Sequence, residues 1–216
     1  MTTAILGGKG PLRIDSGLNV IVDGNSIYAD FYTPIATLLA SSAAFTGRGA
    51  STISCAVSGS LWSTMLGHVS SVSAAFVPGL TNILVAGETT NSMATGGGRT
   101  AAEAWADCLT YIAAVRAARP TMRFVLCGSL PCRYLNDGTK NAAMLAWDAL
   151  ALANYRQNGI ERFVNYRATV PFNVSGESAG DYPGTHWNGD QVHVNDTGKA
   201  IMCDLIGRAI QSMGAR

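Results

Sequence analysis

Short apolar runs alternate with longer segments of helical periodicity along almost the whole chain. The apolar runs predict five strands, at 18–23, 51–57, 82–86, 123–127 and 162–165. The periodic segments predict helices at 29–41, at 60–76, from Trp105 to a stop at Pro120, at 141–158, and around 201–213. Strands that alternate with helices form βαβ units, which makes the sheet parallel with helices on both of its faces. The expected fold class is therefore α/β, a three-layer α/β/α sandwich with about five parallel strands.

The remaining segments carry weaker signals. Pro34 falls inside the first predicted helix, where a proline disrupts helical hydrogen bonding, so irregular first turns are expected. Residues 1–16 are expected to be an irregular lead-in, and 169–195 a long loop. With 216 residues and no linker-like stretch, the chain is expected to form one domain over 1–216.

Composition narrows the classes of partner. The net charge is +1 and basic residues are isolated, whereas nucleic-acid binding needs clustered lysine and arginine, so no nucleic acid is expected. No apolar stretch approaches membrane-spanning length, and no basic-then-apolar leader is visible, so we expect no membrane contact. The protein would work in the cytosol, or leave the cell by lysis or within a particle. Its oligomeric state is left open.

The five cysteines show no spacing typical of a metal site. They are Cys55, Cys108, Cys127, Cys132 and Cys203. No CxxC pair and no neighbouring histidine completes a zinc pattern, so buried free thiols are expected. Neither a metal nor an organic cofactor is implied.

Ligands of parallel sheets bind at the carboxyl ends of the strands, and a serine lies at such an end. Ser26 follows the first predicted strand within Val22-Asp-Gly-Asn-Ser-Ile-Tyr28. There it would be exposed close to a helix N-terminus, whose dipole favours a developing anion. The structural alternative is a helix N-cap, a role in which Asn25 and Ser26 would both serve well.

Two further strand ends carry candidate hydrogen-bond donors. Gly59, after the second predicted strand, could present its backbone N–H to an oxyanion, although an ordinary strand-to-helix turn would also use glycine. Asn91, after the third, could donate from its side chain to the same oxyanion, although loop capping is the competing use.

A histidine and an aspartate lie three residues apart just before the last helix. In Gly189-Asp-Gln-Val-His193 the spacing lets the Asp190 carboxylate accept from one nitrogen of His193 while the other nitrogen faces a nucleophile. A lone histidine is usually structural, but one paired with aspartate in a loop favours catalysis.

The order and placement of these four segments resemble the SGNH (GDSL-like) hydrolase superfamily, over roughly residues 18–212. Gly24-Asn25-Ser26 is similar to the family's first block, Gly-Asp-Ser, and Gly59 falls at the second-block glycine. Glu88-Thr-Thr-Asn-Ser92 resembles the third block, Gly-x-Asn-Asp, and Asp190-x-x-His193 is the strongest match. The sequence departs from the pattern at Asn25, which replaces the usual aspartate, and at Thr89 and Ser92, which stand where glycine and aspartate are usual.

This resemblance implies a flavodoxin-like sheet and a serine esterase. Ser26 would be the nucleophile, His193 its base and Asp190 the orienting acid. The backbone N–H groups of Ser26 and Gly59, with the Asn91 side chain, would form the oxyanion hole. Family substrates include O-acetylated sugars, lipid esters and thioesters. The lack of a long apolar lid favours a small acyl group, notably acetyl on a carbohydrate.

Other serines and histidines compete for these roles. Gly176-Glu-Ser-Ala-Gly180 matches the G-x-S-x-G nucleophile elbow, but only 36 residues follow it, too few for the later βα units of that fold. We therefore interpret Ser178 as part of a small-residue loop. His186 would line the rim of the site, and His68 is expected to be structural or exposed.

Two other functional classes stay open. A catalytically silent carbohydrate-binding or virion-decorating module could use the same fold, with Trp187 and Tyr182 as exposed aromatics. An O-acyltransferase could use the same triad and pass the acyl group to a sugar. The composition is compatible with a phage tail esterase.

Overall fold

The computed structural model describes residues 17–29, 33–42, 45, 50–95, 97–132, 138–173, 185–190 and 192–213. The predicted lead-in at 1–16 lies outside these residues. So do Ser178 and Tyr182.

The core of the fold is a five-stranded sheet in which every pair of neighbours is parallel. Its strands are β1 (Leu18–Gly24), β2 (Ala50–Ser54), β3 (Thr81–Gly87), β4 (Arg123–Cys127) and β5 (Arg162–Val164). The spatial order is β2-β1-β3-β4-β5. That is the order of flavodoxin-like sheets, so the predicted fold class is confirmed.

Helices cover both faces of the sheet. They are α1 (Ile35–Ser41), α2 (Val69–Ala74), α3 (Ala101–Ala118), α4 (Gly138–Asn154) and α5 (Asp196–Gln211). Side chains alternate along a strand, so Val20 and Val22 of β1 face one core while Ile21 faces the other. The first core contains apolar residues of α1 and α5, and the second contains those of α2, α3 and α4. The three layers of the sandwich follow from this division.

The first two helices are shorter than the sequence predicts. Residues 26–29 form a turn, and α1 begins at Ile35, directly after Pro34. Proline is compatible with a helix start but not its interior, because it has no N–H to donate. The helix predicted at 60–76 is a 3₁₀ helix at Thr64–His68 that continues into α2. Gly59 and the residues up to Ser63 form the connection instead.

The strand order reverses between β1 and β3, and this opens a crevice at the carboxyl edge of the sheet. Gly24 and Gly87 are paired partners at the ends of these two strands. A Cβ on either glycine would stand within 3 Å of the Tyr28 ring, so the absence of a side chain lets this ring cover both strand ends. Ser26 and Asn91 therefore emerge next to each other from adjacent strands.

The described cysteines are all free thiols, and Cys55 alone among them is not buried. No helix within the described part of the chain combines the length and the apolarity needed to cross a bilayer.

Candidate active site

Ser26 lies in a turn that its neighbour holds in place. The backbone N–H groups of Tyr28 and Ala29 both donate to the carbonyl of Asn25, at 3.0 Å. The side chain of Asn25 also accepts from the N–H of Ile27, at 2.9 Å. Asn25, rather than Ser26, therefore provides the side-chain cap of this turn. The Ser26 hydroxyl points to a different partner.

A continuous chain of hydrogen bonds joins Ser26, His193 and Asp190. Ser26 Oγ is 2.7 Å from His193 Nε2. His193 Nδ1 is 2.6 Å from Asp190 Oδ2. Both distances are those of direct hydrogen bonds. The structure thus brings together three side chains that are separated by up to 167 positions in the sequence.

The charge of Asp190 fixes the proton on His193. Partial burial alone would raise the pKa of Asp190. The backbone N–H groups of His193 and Val192 nevertheless donate to Asp190 Oδ1, both at 3.0 Å, and hold its pKa below the ordinary value. The carboxylate is therefore ionised at neutral pH and accepts from Nδ1–H. In the neutral ring, Nε2 is then left as the acceptor that faces Ser26.

The segment that carries His193 is anchored to buried aromatic residues. Trp187 forms an isolated antiparallel bridge with Val194, and the N–H of Asn188 donates to the carbonyl of His193 at 2.9 Å. Trp187 is only 1% exposed and packs edge-on against Phe172. The expectation that Trp187 is an exposed binding aromatic is therefore wrong, because its ring is buried and anchors the segment that carries His193.

The backbone conformation at position 59, rather than a lack of space for a side chain, favours glycine there. Its φ is +81°, a conformation that favours glycine. A Cβ at this position would meet no atom within 4 Å. Gly59 itself is exposed. The positive φ agrees with a turn that uses glycine, the structural alternative predicted for this position.

Asn91 is held from both its backbone and its side chain. Its amide nitrogen Nδ2 donates to the carbonyl of Ser60, the residue after Gly59, at 3.1 Å. Its backbone N–H donates to Glu88 Oε1 at 2.7 Å. The two candidate donors after β2 and β3 are thus connected to each other.

Glu88 joins three of the segments that form the site. Its carboxylate accepts from the backbone N–H of Trp62 at 3.2 Å and from Asn25 Nδ2 at 3.3 Å. It also contacts both the N–H and the hydroxyl of Ser92. Glu88 is buried, and burial raises its pKa to about 7 despite these donors. Asn25 thus supplies an amide donor to this carboxylate.

Sequence reasoning did not single out Glu88 as a site residue. A usable signal was present: a carboxylate directly follows a buried strand in a chain with only 13% charged residues. Such a group needs several donors if it is to be buried. The same signal applies to Asp23 at the end of β1, which accepts from His68 Nδ1 at 2.8 Å. His68 was expected to be structural or exposed, and it is part of this hydrogen-bond network.

The rival nucleophile, Ser178, lies outside the described residues. His186 is partly exposed, and its ring lies edge-on to Trp187. Within the described ranges, no three His, Cys, Asp or Glu side chains form a group that could hold a metal ion.

The raised pKa of Glu88 predicts a specific dependence of stability on pH. Below pH 4.5 Glu88 is protonated in both the folded and the unfolded chain. Between pH 4.5 and about 7 the unfolded chain loses this proton while the folded chain keeps it, so the wild type should lose stability relative to Glu88→Gln. The relative loss should reach about 3 kcal/mol and level off above pH 7. Urea unfolding of both proteins at several pH values measures it.

The glutamine variant brings an amide donor toward the Trp62 N–H, so a constant difference between the two proteins is expected at every pH. The informative quantity is the change of that difference with pH. Parallel curves from pH 4.5 to 8 would show that Glu88 titrates normally.

Similarity to known proteins is found in structure rather than in sequence. No family model matches the chain, and no curated protein sequence is similar to it. A member of the lipolytic G-D-S-L family from Veillonella parvula superposes with a TM-score of 0.66 at 14% identity, covering 87% of this chain and 95% of that one. A candidate GDSL-like lipase from Parabacteroides merdae superposes with a TM-score of 0.71 at 15% identity, covering 91% of this chain and 96% of that one.

A candidate SGNH hydrolase from Slackia heliotrinireducens gives a TM-score of 0.65 at 16% identity, covering 90% of this chain and 99% of that one. The similarity to all three extends over most of both chains. The resemblance inferred from the short motifs is therefore confirmed at the level of the fold. The chain has the fold of the SGNH (GDSL-like) hydrolases.

Proposed function

We propose that this protein is a serine ester hydrolase with Ser26 as the nucleophile. The observation that carries the proposal is the continuous hydrogen-bonded sequence Ser26–His193–Asp190, with distances of 2.7 and 2.6 Å. A serine, a histidine and an ionised carboxylate in this arrangement activate a hydroxyl for attack on a carbonyl carbon. The fold shared with lipolytic and SGNH proteins is consistent with this chemistry.

The proposed reaction has two steps through an acyl-enzyme. His193 Nε2 takes the proton of Ser26 as Oγ attacks the ester carbonyl, and then gives it to the departing alcohol. The acyl group stays on Ser26 until a water molecule, deprotonated by the same nitrogen, attacks its carbonyl carbon. The bond to Ser26 Oγ then breaks, Nε2 returns the proton to Oγ, and the carboxylic acid is released. Asp190 keeps the proton on Nδ1 and stabilises the imidazolium formed in each step. No metal or organic cofactor enters this sequence.

Three groups are proposed to stabilise the oxyanion. They are the backbone N–H groups of Ser26 and Gly59 and the side-chain amide of Asn91. What supports the assignment is that Gly59 is accessible and that Asn91 is bonded to the residue after it. Donors fixed before the reaction stabilise developing charge without reorganising, which makes them effective in the transition state.

For the substrate we propose a small acyl ester, with acetyl on a carbohydrate as the first candidate. What supports a small acyl group is that the sequence contains no long apolar segment that could form a lid over an extended acyl chain. The same triad would also serve an O-acyltransferase, in which a sugar hydroxyl replaces water in the second step. A silent binding module has less support, because Trp187 is buried.

Removal of Ser26 tests the nucleophile. We expect Ser26→Ala and His193→Ala each to lower kcat for p-nitrophenyl acetate by about 10⁴-fold or more, since either change removes the activated hydroxyl. Ser178→Ala and His186→Asn are the matched controls and should keep most of the wild-type rate. Loss of activity in Ser178→Ala alone would place the nucleophile in the other serine motif. Inactivity of the wild type on every ester tried would favour the binding module.

Asn91 can be tested as an oxyanion donor. We expect Asn91→Ala to lower kcat by about 10²–10³-fold, the usual effect of losing one preorganised donor, with little change in KM. Circular dichroism and thermal unfolding would confirm that the variant is folded. A variant that retains nearly full kcat would exclude the Asn91 side chain from the oxyanion hole.

The acyl preference tests the substrate class. We expect kcat/KM for p-nitrophenyl acetate to exceed that for the octanoyl ester by at least about tenfold, because without a long apolar lid the site would give a long acyl chain little apolar surface to contact. O-acetylated glycans would then be assayed for released acetate and for transfer to an added sugar. A preference for the octanoyl ester would contradict the small-acyl proposal, and transfer faster than hydrolysis would indicate an acyltransferase.

A further inference from the structure

A second serine, histidine and aspartate are joined by hydrogen bonds in the same order. Ser60 Oγ is 3.2 Å from His68 Nε2, and His68 Nδ1 is 2.8 Å from Asp23 Oδ1. The same ring nitrogens face the same group types as in Ser26–His193–Asp190. Asp23 lies three residues before Ser26, and Ser60 directly follows Gly59. The second set, hereafter the inner relay, therefore lies beside the proposed site.

The inner relay is less accessible than the outer one at its serine and its carboxylate. The Asp23 side chain is fully buried and Ser60 is 5% exposed, whereas the Asp190 side chain is 36% exposed and Ser26 is partly exposed. The two histidine side chains are covered alike, with 13% of His68 and 14% of His193 exposed. Little of Ser60 can be reached by a substrate, so a second nucleophilic site is not what this burial favours.

Asp23 is a fixed end point for the relay. Its carboxylate accepts from the N–H of Gly24 and from His68, both at 2.8 Å, and from the Tyr111 hydroxyl at 2.5 Å. The bond to Asp23 raises the pKa of His68 and places a proton on Nδ1. Nε2 then meets the Ser60 hydroxyl in either protonation state, as acceptor when the ring is neutral and as donor when it is charged.

The other end of the relay contacts the proposed oxyanion donors. The Ser60 carbonyl accepts from Asn91 Nδ2 at 3.1 Å, and the Ser60 N–H donates to the carbonyl of Val57 at 3.2 Å. The Val57 N–H in turn donates to the carbonyl of Gly24 at 3.0 Å. The segment from Val57 to Ser60, which contains Gly59, is thus tied to the end of β1 through both its backbone and the inner relay.

We propose that Asp23, His68 and Ser60 are positioning residues that hold Gly59 and Asn91 in the geometry of an oxyanion hole. The inference rests on the proposed ester hydrolysis at Ser26. Gly59 is exposed and its loop belongs to no helix or strand, so its backbone alone does not fix where its N–H points. The hydrogen bond from His68 to Ser60 adds that constraint, and the Ser60 carbonyl passes it to Asn91.

The test breaks the Ser60–His68 bond from each end. Ser60→Ala removes the hydroxyl. His68→Asn keeps a donor near Asp23 but is too short to reach Ser60. Ser60→Thr keeps the hydroxyl and is the conservative variant, and Ser70→Ala, an exposed serine on α2, is the matched control. Each protein is assayed for kcat and KM on p-nitrophenyl acetate and for inhibition by phenylboronic acid, whose serine adduct is a tetrahedral anion.

We expect Ser60→Ala and His68→Asn each to lower kcat by about tenfold, with KM within about twofold of the wild-type value. This loss of kcat is smaller than the loss expected when an oxyanion donor is removed completely. The inhibition constant of phenylboronic acid should rise by a similar factor, because the adduct needs the same donors. The double variant should lose no more than either single one, since both remove the same bond. Ser60→Thr should recover most of the rate, and Ser70→Ala should match the wild type.

Several outcomes would overturn the proposal. Full kcat and unchanged boronate inhibition in both variants, with activity still dependent on Ser26, would refute the positioning role and leave the ester hydrolase intact. Wild-type activity in Ser26→Ala would refute both. A fluorophosphonate adduct on Ser60 in Ser26→Ala would show that Ser60 is itself a nucleophile. If Ser60→Ala does not fold, His68→Asn tests the same bond from its other end.

Discussion

The parallel pairing of β1 with β3 is the constraint on which the site depends. The two strands are in register from Leu18 opposite Thr81 to Gly24 opposite Gly87, so they end at the same level. The segments that follow them therefore leave the sheet side by side. β2 pairs with the other side of β1 and adds a third segment to the same edge. A slip in the register of β1 against β3 would separate Ser26 from Asn91.

Buried carboxylates then connect these segments. Glu88 and Asp23 are both buried, in a chain with few charged residues, and each is surrounded by donors from several elements. Glu88 binds groups of Asn25, Trp62 and Ser92, and Asp23 binds His68 and Tyr111. A buried carboxylate is costly unless it is hydrogen-bonded, so these contacts restrict how the strand ends can move relative to one another. The raised pKa of Glu88 is a consequence of that burial.

The two serine–histidine–aspartate sets show that accessibility, rather than residue type, separates the roles proposed for them. Both have a carboxylate on Nδ1 and a serine hydroxyl on Nε2. His193 is carried by a loop at the end of the chain, anchored through Trp187, and faces the crevice. His68 is carried by a 3₁₀ helix and packed against the end of β1. The first arrangement suits attack on a substrate, and the second suits the support of its neighbours.

The sequence alone determined the α/β class, because apolar runs of strand length alternate with helical periodicity and parallel sheets follow from that alternation. It also predicted that Ser26, Gly59 and Asn91 follow successive strands, and that Asp190 and His193 are neighbours, since three residues separate them. Local signals were enough for these features. Pro34 also predicted an irregular start of the first helix, which begins at Ile35. Local signals were not enough for the helix predicted at 60–76, which begins only at Thr64 and as a 3₁₀ helix.

Only the tertiary structure decided which side chains from different strands and loops come into contact. The Ser26–His193 contact joins positions 167 apart, the Glu88–Trp62 contact joins positions 26 apart, and the Asp23–Tyr111 contact joins positions 88 apart. Trp187, expected at the surface, is buried because the segment before α5 folds back over Phe172. Contacts of this kind arise from packing and strand order rather than from local propensity, which is why neither spacing nor composition contained them.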